Sequence, residues 1–142
     1  MDKQVQKEIA ELSEIIREKD GGKKYAKAQF NIGTKYIEEG NTEKAIEHWN
    51  KITRNDDKEL FAKAQFNIGL NYDKQGNTEK ATEYWNKIIR NDDKEVFARA
   101  QFNVGSNYHR EGENEKAIQT WNKITRDDDK EKFAKAQFNI GT

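Results

Sequence analysis

FAKAQFNIGLNYDKQGNTEKATEYWNKIIRNDDKEV, residues 61–96, is the stretch whose reading decides the fold, because its pattern runs three times in succession without a gap. The copies are 25–60, 61–96 and 97–132. The first and second agree at 26 of 36 positions, the second and third at 22 of 36. A further copy opens at Phe133 with the same Phe-Ala-Lys-Ala-Gln-Phe-Asn-Ile-Gly and reaches Thr142. A fixed period of this length points to a stacked array, in which each copy buries its apolar side only against its neighbours.

Inside the middle copy, two helical stripes are separated by one break. Leu60, Phe61, Ala64, Ile68 and Tyr72 recur every three or four residues, which predicts an amphipathic helix, helix A, from Lys58 to about Gln75. Asp56-Asp57-Lys58-Glu59 and Asp92-Asp93-Lys94-Glu95 have the spacing of an acidic N-cap with a glutamate three residues on. Gly76-Asn77 supplies a left-handed C-terminal cap and then the next N-cap. Ala81, Trp85, Ile88 and Ile89 form the second stripe, predicting helix B from Thr78 to about Arg90. So short a link requires the two helices to pack side by side and antiparallel.

Gly33, Gly69 and Gly105 fall within helix A, where each costs about 1 kcal/mol relative to alanine. Such a column makes sense where helix B crosses closely, and Ala45, Ala81 and Ala117 are the small residues expected opposite it. Trp49, Trp85 and Trp121 are expected in the core. Asn31, Asn67, Asn103 and Asn139, and Asn50, Asn86 and Asn122, recur so regularly that they read as hydrogen-bonding columns between helices.

Composition taken alone leans the other way: 33% hydrophobic against 37% charged residues is the balance of many disordered chains. The periodicity overrules it, since the apolar residues return at fixed places. The 26 basic and 26 acidic residues cancel, leaving no long-range field to hold nucleic acid or an anionic membrane. There is no cysteine, hence no disulfide framework. No apolar run approaches the roughly 20 residues of a membrane span, and the first residues lack a secretory core; a cytoplasmic setting is expected. His48 and His109 stand in different columns without a serine or cysteine partner nearby, and no glycine-rich phosphate loop occurs. Asp127-Asp128-Asp129-Lys130-Glu131 lacks the length and central glycine of a calcium loop. No enzyme, cofactor or metal site is therefore expected.

Ala62, Ile68-Gly69, Tyr72, Gly76, Ala81, Trp85 and Ile88 have a spacing that resembles the tetratricopeptide repeat. The same places are filled by Ile32-Gly33, Tyr36, Gly40, Ala45, Trp49 and Ile52, and by Val104-Gly105, Tyr108, Gly112, Ala117, Trp121 and Ile124. The resemblance implies an all-α, right-handed α-solenoid of stacked helix-turn-helix repeats. The family's usual unit is about 34 residues; the two additional residues here fall between helix B and the next helix A, where aspartate stands in place of the family's frequent proline. Sel1-like repeats share the longer period but place their additional residues in the A–B turn, and rank second.

On this reading residues 1–24 are an N-terminal capping helix, 25–60, 61–96 and 97–132 are repeats 1 to 3, and 133–142 is a partial fourth repeat holding helix A only, all in one solenoid. Shifted by one period, residues 1–24 align with helix B, with Ser13 in the tryptophan column and Val5, Ile9, Leu12 and Ile16 as one apolar stripe.

Comparison among the copies separates positions held by stacking from positions free to change. The variable columns gather in the second half of helix A: Thr34/Leu70/Ser106, Ile37/Asp73/His109 and Glu38/Lys74/Arg110. A second set, Ile46/Thr82/Ile118 and His48/Tyr84/Thr120, lies on helix B. The resemblance implies that helix A lines a concave groove. It would add Lys27, Lys63, Arg99 and Lys135 from the first turn, and Phe30, Phe66, Phe102 and Phe138 as an aromatic ladder, to the helix A set. The expected ligand is a peptide or protein with acidic and apolar groups. The family's carboxylate clamp is missing, because phenylalanine and Thr34, Leu70 and Ser106 occupy its columns. The competing expectation is a self-assembling module, a homo-oligomer in which the last helix A pairs head-to-tail with another chain's N-terminal helix.

Overall fold

The computed structural model describes residues 1–141, and all its regular structure is helical. Among the described residues there are nine helices and no strand: α1 (Lys3–Ser13), α2 (Arg17–Asp20), α3 (Gly22–Glu38), α4 (Thr42–Trp49), α5 (Lys58–Lys74), α6 (Thr78–Trp85), α7 (Lys94–Arg110), α8 (Asn114–Trp121) and α9 (Lys130–Ile140). Helix A is α3, α5, α7 and α9; helix B is α4, α6 and α8. The chain forms two compact units, one of residues 1–64 and one beginning at Gln65. In the first, α3 packs against α4, α1 and α2. In the second, α7 packs against α6 and α8, and α9 lies against both α7 and α8.

The A–B turn follows from one glycine. Gly40, Gly76 and Gly112 have φ near +80°, the left-handed region that a side chain rarely adopts. In each copy the glycine N–H bonds back to the carbonyl of Ile37, Asp73 or His109. The next residue's N–H returns to Tyr36, Tyr72 or Tyr108 at 2.8–2.9 Å, the double closure of a Schellman motif. Asn41 and Asn77 then cap helix B by accepting from Lys44 and Lys80 N–H at 3.2 and 3.1 Å.

Helix B is shorter than its apolar stripe suggests. It is eight residues long and stops at Trp49, Trp85 and Trp121, and Ile52, Ile88 and Ile124 reach the core from a turn beyond it. The cause is the aspartate pair downstream, whose two members do different things. Asp57, Asp93 and Asp129 are the N-caps, accepting from Leu60, Val96 and Lys132 N–H at 2.9–3.1 Å. Asp56, Asp92 and Asp128 fold back instead, accepting from Thr53, Ile89 and Thr125 N–H at 2.9–3.1 Å. The capping expectation thus holds for the second aspartate and fails for the first, which builds the loop that ends helix B.

That loop is clamped by arginine. Arg17 binds Asp56 through Nε and Nη2 at 2.6 and 2.8 Å, and Arg90 binds Asp128 at 2.6 and 3.0 Å. The same guanidiniums lie over the Tyr25 and Phe97 rings at 4.4 and 4.7 Å. Arg17 lies near the end of the N-terminal segment, which therefore reproduces the end of a helix B as well as its stripe.

The mid-helix glycines face tryptophan. A Cβ at Gly33, Gly69 or Gly105 would fall 2.2–2.3 Å from Nε1 of Trp49, Trp85 or Trp121. The alanines expected opposite are buried, but the indole is what occupies the space. Each indole N–H donates to the carbonyl of Phe30, Phe66 or Phe102 at 3.1 Å, so the ring lies directly on the helix A backbone. The asparagine columns are less uniform than expected. Asn50, Asn86 and Asn122 close helix B as C-caps, whereas Asn31 is exposed.

Candidate functional site

In the second unit part of the candidate set lies along one face of α7. Arg99, Asn103, Ser106 and Arg110 are spaced by four, three and four residues on α7, one stripe of a helix. Towards its N-terminal end, Phe66, Arg99, Asn103, Asp129, Glu131 and Lys132 line a hollow of about 260 Å³. Towards its C-terminal end, Ser106, His109, Arg110, Trp121 and Asn139 line another of about 190 Å³. Arg110 reaches Asp73 of α5 at 3.5 Å, and the Lys132 ammonium sits 5.0 Å over the Phe102 ring. Phe66 and Phe102 are half-buried, each 6.2 Å from the tryptophan of its own copy.

The acids on this face already have duties. Asp129 caps α9, Asp73 meets Arg110, and Glu131 pairs with Lys135 at 3.0 Å, which holds its carboxyl below the usual range. The Ser106 hydroxyl donates to the Phe102 carbonyl at 3.0 Å. What projects outward is the guanidinium of Arg99 and of Arg110, both exposed, with Phe66 sharing the hollow of the first and Trp121 that of the second. Such a surface suits carboxylates flanked by apolar groups.

The first unit assembles a different set. Thr34 and Glu38, with Asn31 and Lys35 of α3, face Glu8, Glu11, Leu12 and Ile15 of the N-terminal segment across a cleft of about 510 Å³. Lys35 is paired with Glu8 across it, which raises the lysine and lowers the glutamate from their ordinary values. Phe30 is half-buried against Trp49 at 6.2 Å. Of the other candidates, Lys27 and Lys63 are exposed and Ile37 is half-buried; none lines this cleft. In the second unit, Leu70 is half-buried and Lys74 exposed on α5, outside the two hollows.

Two members of the helix B columns have structural contacts. His48 stacks on Tyr36 with ring centroids 5.5 Å apart and donates from Nδ1 to the Gln29 carboxamide oxygen at 2.8 Å. Tyr84 stacks on Tyr72 at the same separation. Burial, with Lys51 and Lys44 nearby and only Glu47 opposing, holds the His48 imidazole below its ordinary value. Lys44, Lys80 and Lys116 lie 5.3–5.7 Å over Tyr36, Tyr72 and Tyr108, a cation–π column that fixes the start of helix B.

The three aspartates of the last junction do not converge as a metal site would require. Asp127 meets Lys94 at 3.3 Å, Asp128 turns inward to Arg90, and Asp129 caps α9. Sequence reasoning missed Asn103 and Lys132 on the second unit's face, and the α1 side of the first unit's cleft. The recurrence of Asn31, Asn67 and Asn103 marked their column as hydrogen-bonding between helices, which concealed that Asn31 lines the cleft and Asn103 a hollow.

A family profile described as a domain of unknown function, DUF6340, matches residues 31–87. The match opens inside α3 and closes just beyond α6. No curated relative matches the chain. Among the described residues, no helix is long and apolar enough to cross a membrane.

Proposed function

We propose that this chain is a non-enzymatic scaffold of tetratricopeptide type that binds an acidic peptide or protein segment on its helix A face. The right-handed solenoid implied by that resemblance, and a cytoplasmic setting, belong to the same proposal. The observation that supports it best is the stripe Arg99, Asn103, Ser106 and Arg110. Arg99 and Arg110 are exposed and Asn103 and Ser106 half-buried, the four differ from their counterparts Lys27, Asn31, Thr34 and Glu38 at three of four positions, and Phe66 lines the hollow with Arg99 and Asn103.

Columns that stack are filled the same way in every copy: glycine under tryptophan and lysine over tyrosine. Variation on a fixed scaffold is what recognition requires, since a rigid helix surface presents different side chains without altering the fold. Two exposed guanidiniums about three turns apart on one helix offer Arg99 for a bidentate carboxylate and Arg110 for one shared with Asp73, and the phenylalanines can take an apolar side chain between them.

The test is a library of extended and helical peptides that combine Asp or Glu with apolar residues, read by fluorescence anisotropy. Binders should weaken by tenfold or more in Arg99→Ala/Arg110→Ala and weaken as salt rises. Binders whose affinity is unmoved by both changes would place recognition elsewhere.

A further inference from the structure

The cleft between α1 and α3 has the shape of a missing neighbour. α1 ends at Ser13 and α3 begins at Gly22; one period later α4 ends at Trp49 and α5 begins at Lys58. α1 therefore stands to α3 as a helix B stands to the next helix A, and the Arg17–Asp56 pair has the geometry of Arg90–Asp128, with its arginine one residue out of the register of the copies. The second unit shows what normally lies beside such a pair. There Arg110 and Asn103 of α7 face the preceding helix A: Arg110 through Asp73, Asn103 through the hollow it shares with Phe66. Their counterparts on α3 are Glu38 and Asn31, and both line the cleft. The cleft is the place of a helix A.

α9 is a helix A with a side chain in want of cover. Phe138 is 73% exposed, whereas Phe30, Phe66 and Phe102 of its column are half-buried against tryptophan. Charge favours the same match. The cleft carries Glu8, Glu11 and Glu38 against Lys35, and α9 carries Lys130, Lys132 and Lys135 against Glu131.

We propose that the cleft receives α9 of a second copy of this chain, with Phe138 seated beside Asn31 as Phe66 sits beside Asn103. Leu12 and Ile15 form the apolar floor. Ser13, in the column elsewhere filled by tryptophan, leaves room for the incoming ring. The contact joins two different surfaces, so each copy keeps one free end and the association continues from copy to copy.

Light scattering behind size exclusion, over a wide concentration range, tests this with two variants, Ile15→Glu in the cleft and Phe138→Glu on α9. The wild type should gain mass with concentration, and each variant alone should stay near 16.6 kDa. The decisive sample is their equimolar mixture. Phe138→Glu keeps an intact cleft and Ile15→Glu an intact α9, so the mixture should stop at a dimer. Circular dichroism confirms that both variants fold; should Ile15→Glu fail, Glu11→Lys replaces it, reversing charge on the exposed rim. A wild type fixed at the monomer mass overturns the proposal. So does a mixture that stays monomeric while the wild type associates, and so does an Ile15→Glu variant that still associates alone, which would mean an α9-to-α9 contact.

Discussion

At the scale of single residues, the glycine in the middle of helix A and the tryptophan that ends helix B are one device. Glycine costs the helix about 1 kcal/mol relative to alanine, and the space it leaves admits an indole whose N–H bonds a main-chain carbonyl. Gly69→Ala should therefore destabilise, although alanine is the better helix former. Its Cβ would lie 2.2 Å from Trp85 Nε1, and overpacking of this kind costs about 1–3 kcal/mol. Urea unfolding followed by tryptophan fluorescence measures it, and a gain in stability would refute the packing account. His48 makes a second residue-scale prediction. Its folded-state pKa is depressed, first by burial, so near the ordinary value of 6.5 the unfolded chain takes up a proton that the fold resists. The stability it contributes is complete above that pH and declines below it. His48→Tyr copies the Tyr84–Tyr72 stack and should remove this pH 7 to 5 decline from the first unit. Equal declines in both proteins would show that His48 does not titrate in the fold as described.

At the scale of elements, the junction between helix B and the next helix A holds the chemistry that distinguishes this period. Asp56 and Asp128 have side chains only 3% and 1% exposed, yet their arginines are 40% and 47% exposed. Hydrogen bonds from Arg17 hold the Asp56 carboxyl below its ordinary value. At Asp128 burial pushes the other way but is outweighed by Arg90 together with Thr125. Both folded pKa values lie below 3.8, so the stability they contribute is intact above about pH 4 and is lost as the pH falls further. Asp128→Asn should cost about 1–2 kcal/mol at neutral pH, a buried pair discounted for its exposed partner, and should flatten the acid limb between about pH 4 and 2. An acid titration by circular dichroism, unchanged in midpoint between the two proteins, would contradict the assignment. Here the sequence was only half legible. The Asp-Asp pair announced a cap, because caps are local and obey fixed spacing. That its first member turns backward depends on an arginine more than thirty residues away, which no local rule exposes. Helix B was overlong for the same reason: Ile88 and Ile89 continue the apolar stripe, and only the folded loop shows that the helix stops at Trp85.

At the scale of the whole molecule, periodicity carried the all-helical arrangement and the pairing of neighbouring helices, since apolar residues at fixed intervals leave few other ways to bury them. The candidate face was legible as a set of columns, but the columns do not all meet: Arg99, Ser106, His109 and Arg110 line the hollows of the second unit, while Lys27 and Lys63 stand apart. Spacing gives direction around one helix and says nothing of what a neighbouring helix brings. The same logic bears on how the fold comes apart. Trp121 sits in a cluster with Ala98, Ala117, Ile124 and Ala136, bordered by Phe102, Tyr108, Phe133 and Ile140, all in the second unit. In an array stabilised by nearest neighbours, damage there should stay local. Trp121→Phe removes the bond to Phe102 and part of the ring's contact. Amide exchange in α7, α8 and α9 should quicken by roughly 10–100-fold, the equivalent of about 1.4–2.7 kcal/mol, while α1, α3 and α4 keep their protection. A uniform loss across all helices would mean that the molecule opens as one cooperative body, and the nearest-neighbour description would have to be abandoned.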